Sequence, residues 1–246
     1  MHVEAARAAD RPNVGIAGAP GAVPVSPACF SAAGTPIQWV TPLAVRLPTR
    51  HAEALAELLP ALLCGEESAA LVFDHYAQSA ALLPAARRAL ERIGADEERH
   101  AIWLQRLRLG LPEPPKAVRD DLAVRRFYLS IGEREPARHL LRIAALDSAV
   151  CVLLGTLRCR HSPVAADEVL ARVLARIHRD EARHVAVASR LARQLAGDSD
   201  LRGVAIDTRE RLTRLLERRA AAIERLDTCP DALFRRLRRV PRTLLA

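Results

Sequence analysis

The chain has 246 residues, half of them hydrophobic, and a formal charge of +8, so it fits one domain with a full core. With 3% aromatic residues that core is aliphatic, and scarce Gly beside abundant Ala, Leu and Arg suits long helices. The expected exclusions are a membrane span, for want of an apolar run of about 18 residues, and a disulfide framework, since five scattered cysteines without a Cys-x-x-Cys read as reduced thiols in a cytoplasmic setting.

Residues 1–48 are rich in Ala, Pro and Gly and lack a basic start followed by an apolar block, so they read as a loosely packed arm rather than a signal peptide. A first helix is predicted from Thr49 to Leu83, with Pro60 as a kink. Pro84 opens a second, which Gly110 stops after Arg108. A Pro-rich connection follows, then a short helix over Val118 to Ser130. Glu135-Pro136 starts a third long helix through Arg158. Ser162-Pro163 opens a fourth, ended near Ala196 by Gly197 and Asp198. A fifth helix over Asp207 to Leu226 and a basic segment after Pro230 complete the chain. No stretch alternates as a strand, and the predicted fold is all-α. The divisions are an arm over 1–48, a helical bundle over 49–196 and a basic helical extension over 197–246. From Arg202 to Arg242 twelve Arg stand against six acids, the pattern of an amphipathic helix or of an RNA-binding tail.

One pattern organises the chain. Leu174-Ala175-Arg176-Ile177-His178-Arg179-Asp180-Glu181-Ala182-Arg183-His184 repeats Leu90-Glu91-Arg92-Ile93-Gly94-Ala95-Asp96-Glu97-Glu98-Arg99-His100 at an offset of 84 residues (184 less 100). Between Leu90 and Leu107 nine positions match their partners, Arg92 with Arg176 and Arg99 with Arg183 among them. Both copies read Asp-Glu-x-Arg-His. Glu and His three apart share one helix face, about 4.5 Å apart along the axis. That face is otherwise apolar, carrying Leu90, Ile93, Leu104 and Leu107 in one copy, Leu174, Ile177, Ala188 and Leu191 in the other. A carboxylate and an imidazole buried there are costly unless paired or holding a metal, and two such pairs suggest two metals.

Two further carboxylates fall on apolar stripes. Asp147 is the only acid between Pro136 and Ala166, amid Leu140, Ile143, Val150, Cys151 and Leu154. Glu66 shares its stripe with Leu62, Ala69 and Phe73, whereas that of the alternative, Glu67, also carries Asp74 and Gln78.

With Gly65-Glu66-Glu67-Ser68-Ala69 upstream of two Asp-Glu-x-Arg-His motifs, the stretch from about Thr49 to Ala196 resembles the ferritin-like di-iron carboxylate superfamily. It is most similar there to bacterial multicomponent monooxygenases and ribonucleotide reductase small subunits. The resemblance implies a four-helix bundle with one carboxylate from each of two helices and a Glu-x-x-His from each of the others, followed here by an additional C-terminal helix. It implies that Glu66, Glu97 and His100 serve one iron and Asp147, Glu181 and His184 the other, with Glu97 and Glu181 able to bridge. Asp96 and Asp180 would each fix the histidine of the opposite helix through its second ring nitrogen. Many members have Glu where this chain has Asp147. Glu67 and His178 are additional candidate ligands, and Tyr76 reads as core.

The implied cofactor is two Fe ions, with an Fe/Mn pair also compatible with the ligand types. The implied function is an oxidoreductase that activates O2 to oxidise a small organic substrate by hydroxylation, desaturation or N-oxygenation. It would draw on an external electron donor, and a homodimer suits it. The alternatives are ferroxidase or peroxide handling and, served by the arginine-rich tail, tRNA hydroxylation. For the first, small or aliphatic residues one turn from the ligands (Ala69, Ala101, Leu104, Val150, Ala188) predict an enclosed cavity beside Glu66, Glu97, Asp147 and Glu181.

Overall fold

The computed structural model describes residues 23–25, 29–30, 38–79, 82–114, 117–197 and 200–245. Two short strands, β1 (Val23–Val25) and β2 (Gln38–Val40), precede ten helices: α1 (Thr49–Ala77), α2 (Pro84–Leu109), α3 (Ala117–Leu129), α4 (Pro136–Leu157), α5 (Pro163–Ala166), α6 (Glu168–Leu195), α7 (Leu201–Glu217), α8 (Ala220–Arg225), α9 (Pro230–Arg238) and α10 (Arg242–Leu245). The fold is all-α except for the antiparallel β1–β2 ribbon, in which Val23 faces Val40. Three residues per strand are too few to show an alternating pattern, so the sequence does not disclose it. The long helices pack in pairs, α1 along α2 and α4 along α6.

Local chemistry sets most helix boundaries. Pro84 and Pro136 stand in the first turn of α2 and α4, where a missing N–H costs nothing. Pro60 lies inside α1, which runs through it and ends at Ala77, six residues before the predicted stop. The predicted fourth helix is two. Ser162 caps the single turn of α5, and then Asp167 Oδ1 accepts the Leu170 amide to start α6 afresh. Asp167 Oδ2 also accepts the Arg46 amide, so this cap anchors the segment leading into α1. The fifth helix likewise starts six residues early, because Asp200 caps Gly203, and it breaks at Arg218 and Arg219.

The packed interior is two aliphatic clusters with a charged layer between them. On α1 the first cluster ends at Cys64 and the second begins at Ala69; on α4 the change falls between Ala145 and Leu146. On α2 the order reverses: Leu90 and Ile93 belong to the second cluster, Leu104 and Leu107 to the first. In α6 Ile177 and Ala188 flank the same junction. Contrary to expectation, one described helix, α4, is long and apolar enough to cross a membrane by length and composition. Here most of it is buried against α6, α7 and α9.

Two long-range attachments escape sequence reading. Cys29 and Cys64, expected to be reduced, form a disulfide with Cα atoms 5.4 Å apart; 35 residues separate them, and only the fold brings them together. In the C-terminal part, Arg238 pairs with Glu210 and Glu217, and Arg236 donates to Thr156 Oγ1, so both of these arginines are engaged internally. Arg209 of α7 is fully buried and makes no ion pair with a carboxylate among the described residues. It donates to the carbonyls of Leu237 (2.6 Å), Arg236 (3.3 Å) and Ala145 (3.3 Å) and to Ser148 Oγ (2.5 Å), joining α7, α9 and α4. Burial lowers its pKa to about 10, so it stays charged at neutral pH. Arg209→Ala would leave these acceptors unsatisfied around a cavity, at a cost of about 3 kcal/mol. A urea midpoint for Arg209→Ala within error of the parent chain would contradict this role.

Candidate metal centre

Glu66 enters the charged layer from α1, Asp147 from α4, Glu97 and His100 from α2, and Glu181 and His184 from α6. None of the six is more than 6% exposed. His100 Nδ1 lies 3.1 Å from Glu66 Oε2, 3.1 Å from Glu181 Oε1 and 3.5 Å from Glu97 Oε2. His184 Nδ1 lies 2.9 Å from Glu97 Oε1 and 3.7 Å from Glu181 Oε1. Glu97 and Glu181 therefore stand between both imidazoles, which stack with centroids 5.7 Å apart.

The other ring nitrogens face outward in a reciprocal cross. His100 Nε2 is 3.4 Å from Asp180 Oδ2 on α6, and His184 Nε2 is 3.4 Å from Asp96 Oδ2 on α2. Such a cross requires α2 and α6 to run antiparallel here. Both acids are themselves held: Asp96 by Arg99 and Arg183, Asp180 by Arg176 at 2.8 Å and Arg183 at 3.3 Å. An Asp that accepts from Nε2–H fixes the tautomer and leaves the Nδ1 lone pair turned toward the carboxylates.

The polar accounting does not close without a cation. Glu97 Oε1, Asp147 Oδ2, Glu181 Oε1 and His184 Nδ1 are buried and make no hydrogen bond. Although His184 Nδ1 and Glu97 Oε1 are only 2.9 Å apart, their geometry is not that of a donor and an acceptor. Lone pairs gathered in this way satisfy one another only through a shared positive charge. Glu66, Glu97, His100 and Glu181 each offer a ligand atom, all within 4.8 Å of one another. Carboxylate oxygens and imidazole nitrogens are the donor set of iron and manganese as well as zinc.

The groups of the layer shift one another's proton affinities. Burial, then the charges of Glu181 and Glu66, push the Glu97 carboxyl well up; burial and Glu181 do the same to Asp147. Burial also acts to raise Glu181, but the imidazoles of His100 and His184 beside it outweigh burial and hold that carboxyl below its ordinary value. For His100 burial alone would favour the neutral ring, yet Glu181, Glu66 and Glu97 overturn it and raise its pKa to about 12.

The two additional candidates have other engagements. Glu67 Oε2 accepts the backbone amides of Cys29 (2.7 Å) and Phe30 (3.2 Å), and His178 Nδ1 meets Arg158 Nη1 at 2.8 Å. Tyr76 is buried and its hydroxyl meets His139 Nδ1 at 3.1 Å. Sequence reasoning missed Tyr128. Its hydroxyl donates to the Ala61 carbonyl at 2.9 Å and lies so close to Gly65 that a Cβ there would overlap it. Burial and the charges of Glu66 and Asp147 hold its pKa up, keeping it a neutral donor. Nothing in the sequence marks it, because its place follows from how α3 crosses α1.

A cavity of about 30 Å³ adjoins the cluster, bounded by Gly65, Ala69, Tyr128 and Ile143 beside Glu66, Glu97, Asp147 and Glu181. It holds one small molecule, far short of the roughly 300 Å³ of an organic-ligand pocket. Comparison of the chain with protein-family models, with curated proteins and with solved structures finds no match.

Two outcomes follow from the geometry. Asp96→Asn and Asp180→Asn should retain the fold and weaken metal binding roughly 10–100-fold, because each replaces the charged acceptor that orients a histidine by a neutral amide; equilibrium metal competition measures it. Metal must also displace the proton that His100 carries up to a pH of about 12. Uptake at pH 7 should therefore release at least one proton per chain, and affinity should rise with pH across the neutral range. Calorimetry in buffers of different ionisation enthalpy counts that proton, and a count of zero would contradict the assignment.

Proposed function

We propose that the chain is a ferritin-like four-helix di-iron oxidoreductase that activates O2. The observation that supports this reading is the buried group of Glu66, Glu97, His100 and Glu181, whose ligand atoms lie within 4.8 Å of one another, with His184 Nδ1 2.9 Å from Glu97 Oε1 and Asp147 on the adjoining cavity. Glu66 and His100 would serve one metal position and Asp147 and His184 the other, with Glu97 and Glu181 reaching both; an Fe/Mn pair fits the same donors. When bound, the metal pair supplies the reducing electrons that dioxygen chemistry needs.

The residues of the chain then have separable tasks. Four carboxylates would offset the charge of two divalent ions, and two neutral imidazoles would complete the donor set. Asp96 and Asp180 hold those imidazoles in register; Arg99 and Arg183 pair with Asp96, and Arg176 and Arg183, with His100, hold Asp180 below its ordinary value against the cost of burial. The aliphatic clusters on either side keep bulk water from the layer. Gly65 and Ala69 leave an opening that reaches the carboxylates, and Tyr128 forms part of its wall.

The size of that opening favours a second reading, oxidation of iron itself or removal of peroxide. About 30 Å³ admits dioxygen or peroxide, whereas an organic substrate needs the wall at Tyr128 and Leu62 to move. One experiment separates the two. The protein is loaded anaerobically with Fe(II), exposed to O2 and followed by absorption and by iron retention. An organic oxidase keeps close to two Fe per chain and oxidises only those; a ferroxidase oxidises many equivalents and releases them. Glu97→Ala and Glu181→Ala should each lose most of the metal, while Ala69→Leu should keep it and slow the O2 reaction by filling the opening. Parent metal content in both Glu variants would overturn the site.

A further inference from the structure

On the outer side of the charged layer, α2 and α6 frame a second concavity, of about 420 Å³, with its own chemistry. Four of the residues lining it are Arg92 and Arg99 from α2 and Arg176 and Arg183 from α6. These are two repeat-related pairs, Arg92 with Arg176 and Arg99 with Arg183, so the antiparallel crossing of the repeated helices gathers all four into one place. The carboxylates against them are those of Asp96 and Asp180, which leaves an excess of two positive charges.

Orientation of the two aspartates accounts for only part of this. Arg99, Arg176 and Arg183 engage them, yet their side chains remain 46%, 49% and 52% exposed. Each guanidinium has five N–H groups, and the aspartates take one or two from each. Arg92 is exposed and makes no ion pair among the described residues, so it has no part in holding Asp96 or Asp180. Four partly free guanidinium groups converging on one concavity match the planar, multidentate recognition of an oxyanion. Ala89, Ile93 and Val187 add an apolar wall, and the volume lies in the range of small-ligand pockets.

We propose that this concavity is a binding site for a phosphate group, free or carried by a small organic molecule, with Arg92, Arg99, Arg176 and Arg183 as its ligands. Arg92 contributes to the anion alone, whereas the other three also touch the aspartates behind the histidines. The proposal does not depend on the identity of the metal or on the reaction, since it concerns the opposite side of Asp96 and Asp180.

The test is calorimetric titration of the purified full-length chain with inorganic phosphate and with phenyl phosphate, at constant ionic strength set by chloride. Saturable binding is expected, and Arg92→Gln should weaken it about 10-fold, the scale of one charge-assisted contact, while leaving the circular dichroism and metal content unchanged. Tighter binding of phenyl phosphate assigns the site to an organic phosphate through the apolar wall; equal or weaker binding assigns it to the free ion. Absence of saturation beyond the chloride control overturns the proposal. So does phosphate binding of undiminished affinity in both Arg92→Gln and the Arg92→Gln/Arg99→Gln pair, which would place the anion elsewhere. Because the parent and Arg92→Gln chains are compared at equal metal content, a failure here leaves the metal reading untouched, and loss of that reading leaves this one standing.

Discussion

Everything in this molecule accommodates one unfavourable fact: four carboxylates and two imidazoles occupy the same plane in an otherwise aliphatic interior. Stripping a single ionised group of water costs several kcal/mol even after relaxation, and six such groups exceed what a domain with a net stability of about 5–15 kcal/mol could leave uncompensated. The four long helices divide their apolar surface at this layer, the residues on either side belonging to separate clusters. Leucine and alanine above and below exclude water, so the charges of the layer must be compensated by one another and by their neighbours.

The outward half of the arrangement extends that compensation to the surface. His100 and His184 lean on Asp180 and Asp96, and those acids lean on arginines that are half in water. Charge alternates in sign from the carboxylate layer to solvent, so no member of the chain faces a like charge alone. Asp180 shows the balance of terms: burial would raise its pKa, yet His100, Arg176 and Arg183 hold it below the ordinary value. The surface arginines are therefore part of the electrostatics of the buried centre as well as the lining of an outer concavity.

How much of this was legible in the sequence depends on the range of the interaction. Glu97, His100, Glu181 and His184 declare themselves through a repeat and a helical period, both local properties. Asp147 and Glu66 could be chosen because a lone acid on an apolar stripe is an energetic anomaly visible without coordinates. The restart of α6 at Asp167 was not legible, since Ser162-Pro163 is an equally good cap and only the additional bond to the Arg46 amide favours the later one. Tyr128 and the Cys29–Cys64 disulfide depend on contacts 67 and 35 residues apart in the chain, with no periodicity to carry them. The cavity was placed correctly but its size was not, because side-chain volumes along one helix do not reveal how near the next helix comes.

The repeat also shows where the two halves cease to be equivalent, and those places bear on chemistry. His100 packs beside Trp103 at 5.8 Å, whereas His184 meets the edge of Phe73 at 6.5 Å. Gly94 lies against the α1 backbone near Asp74 and Ala70, leaving no room there for a large side chain; its counterpart His178 instead sits over Gly155 and meets Arg158. Glu66 Oε2 reaches His100 Nδ1 directly at 3.1 Å, while Asp147, one methylene shorter, leaves Oδ2 without a partner. The centre is therefore symmetric in the residues that would bridge and asymmetric in those that would terminate. A pair of identical ions would find two different positions, the His184 side held by a shorter and less engaged carboxylate.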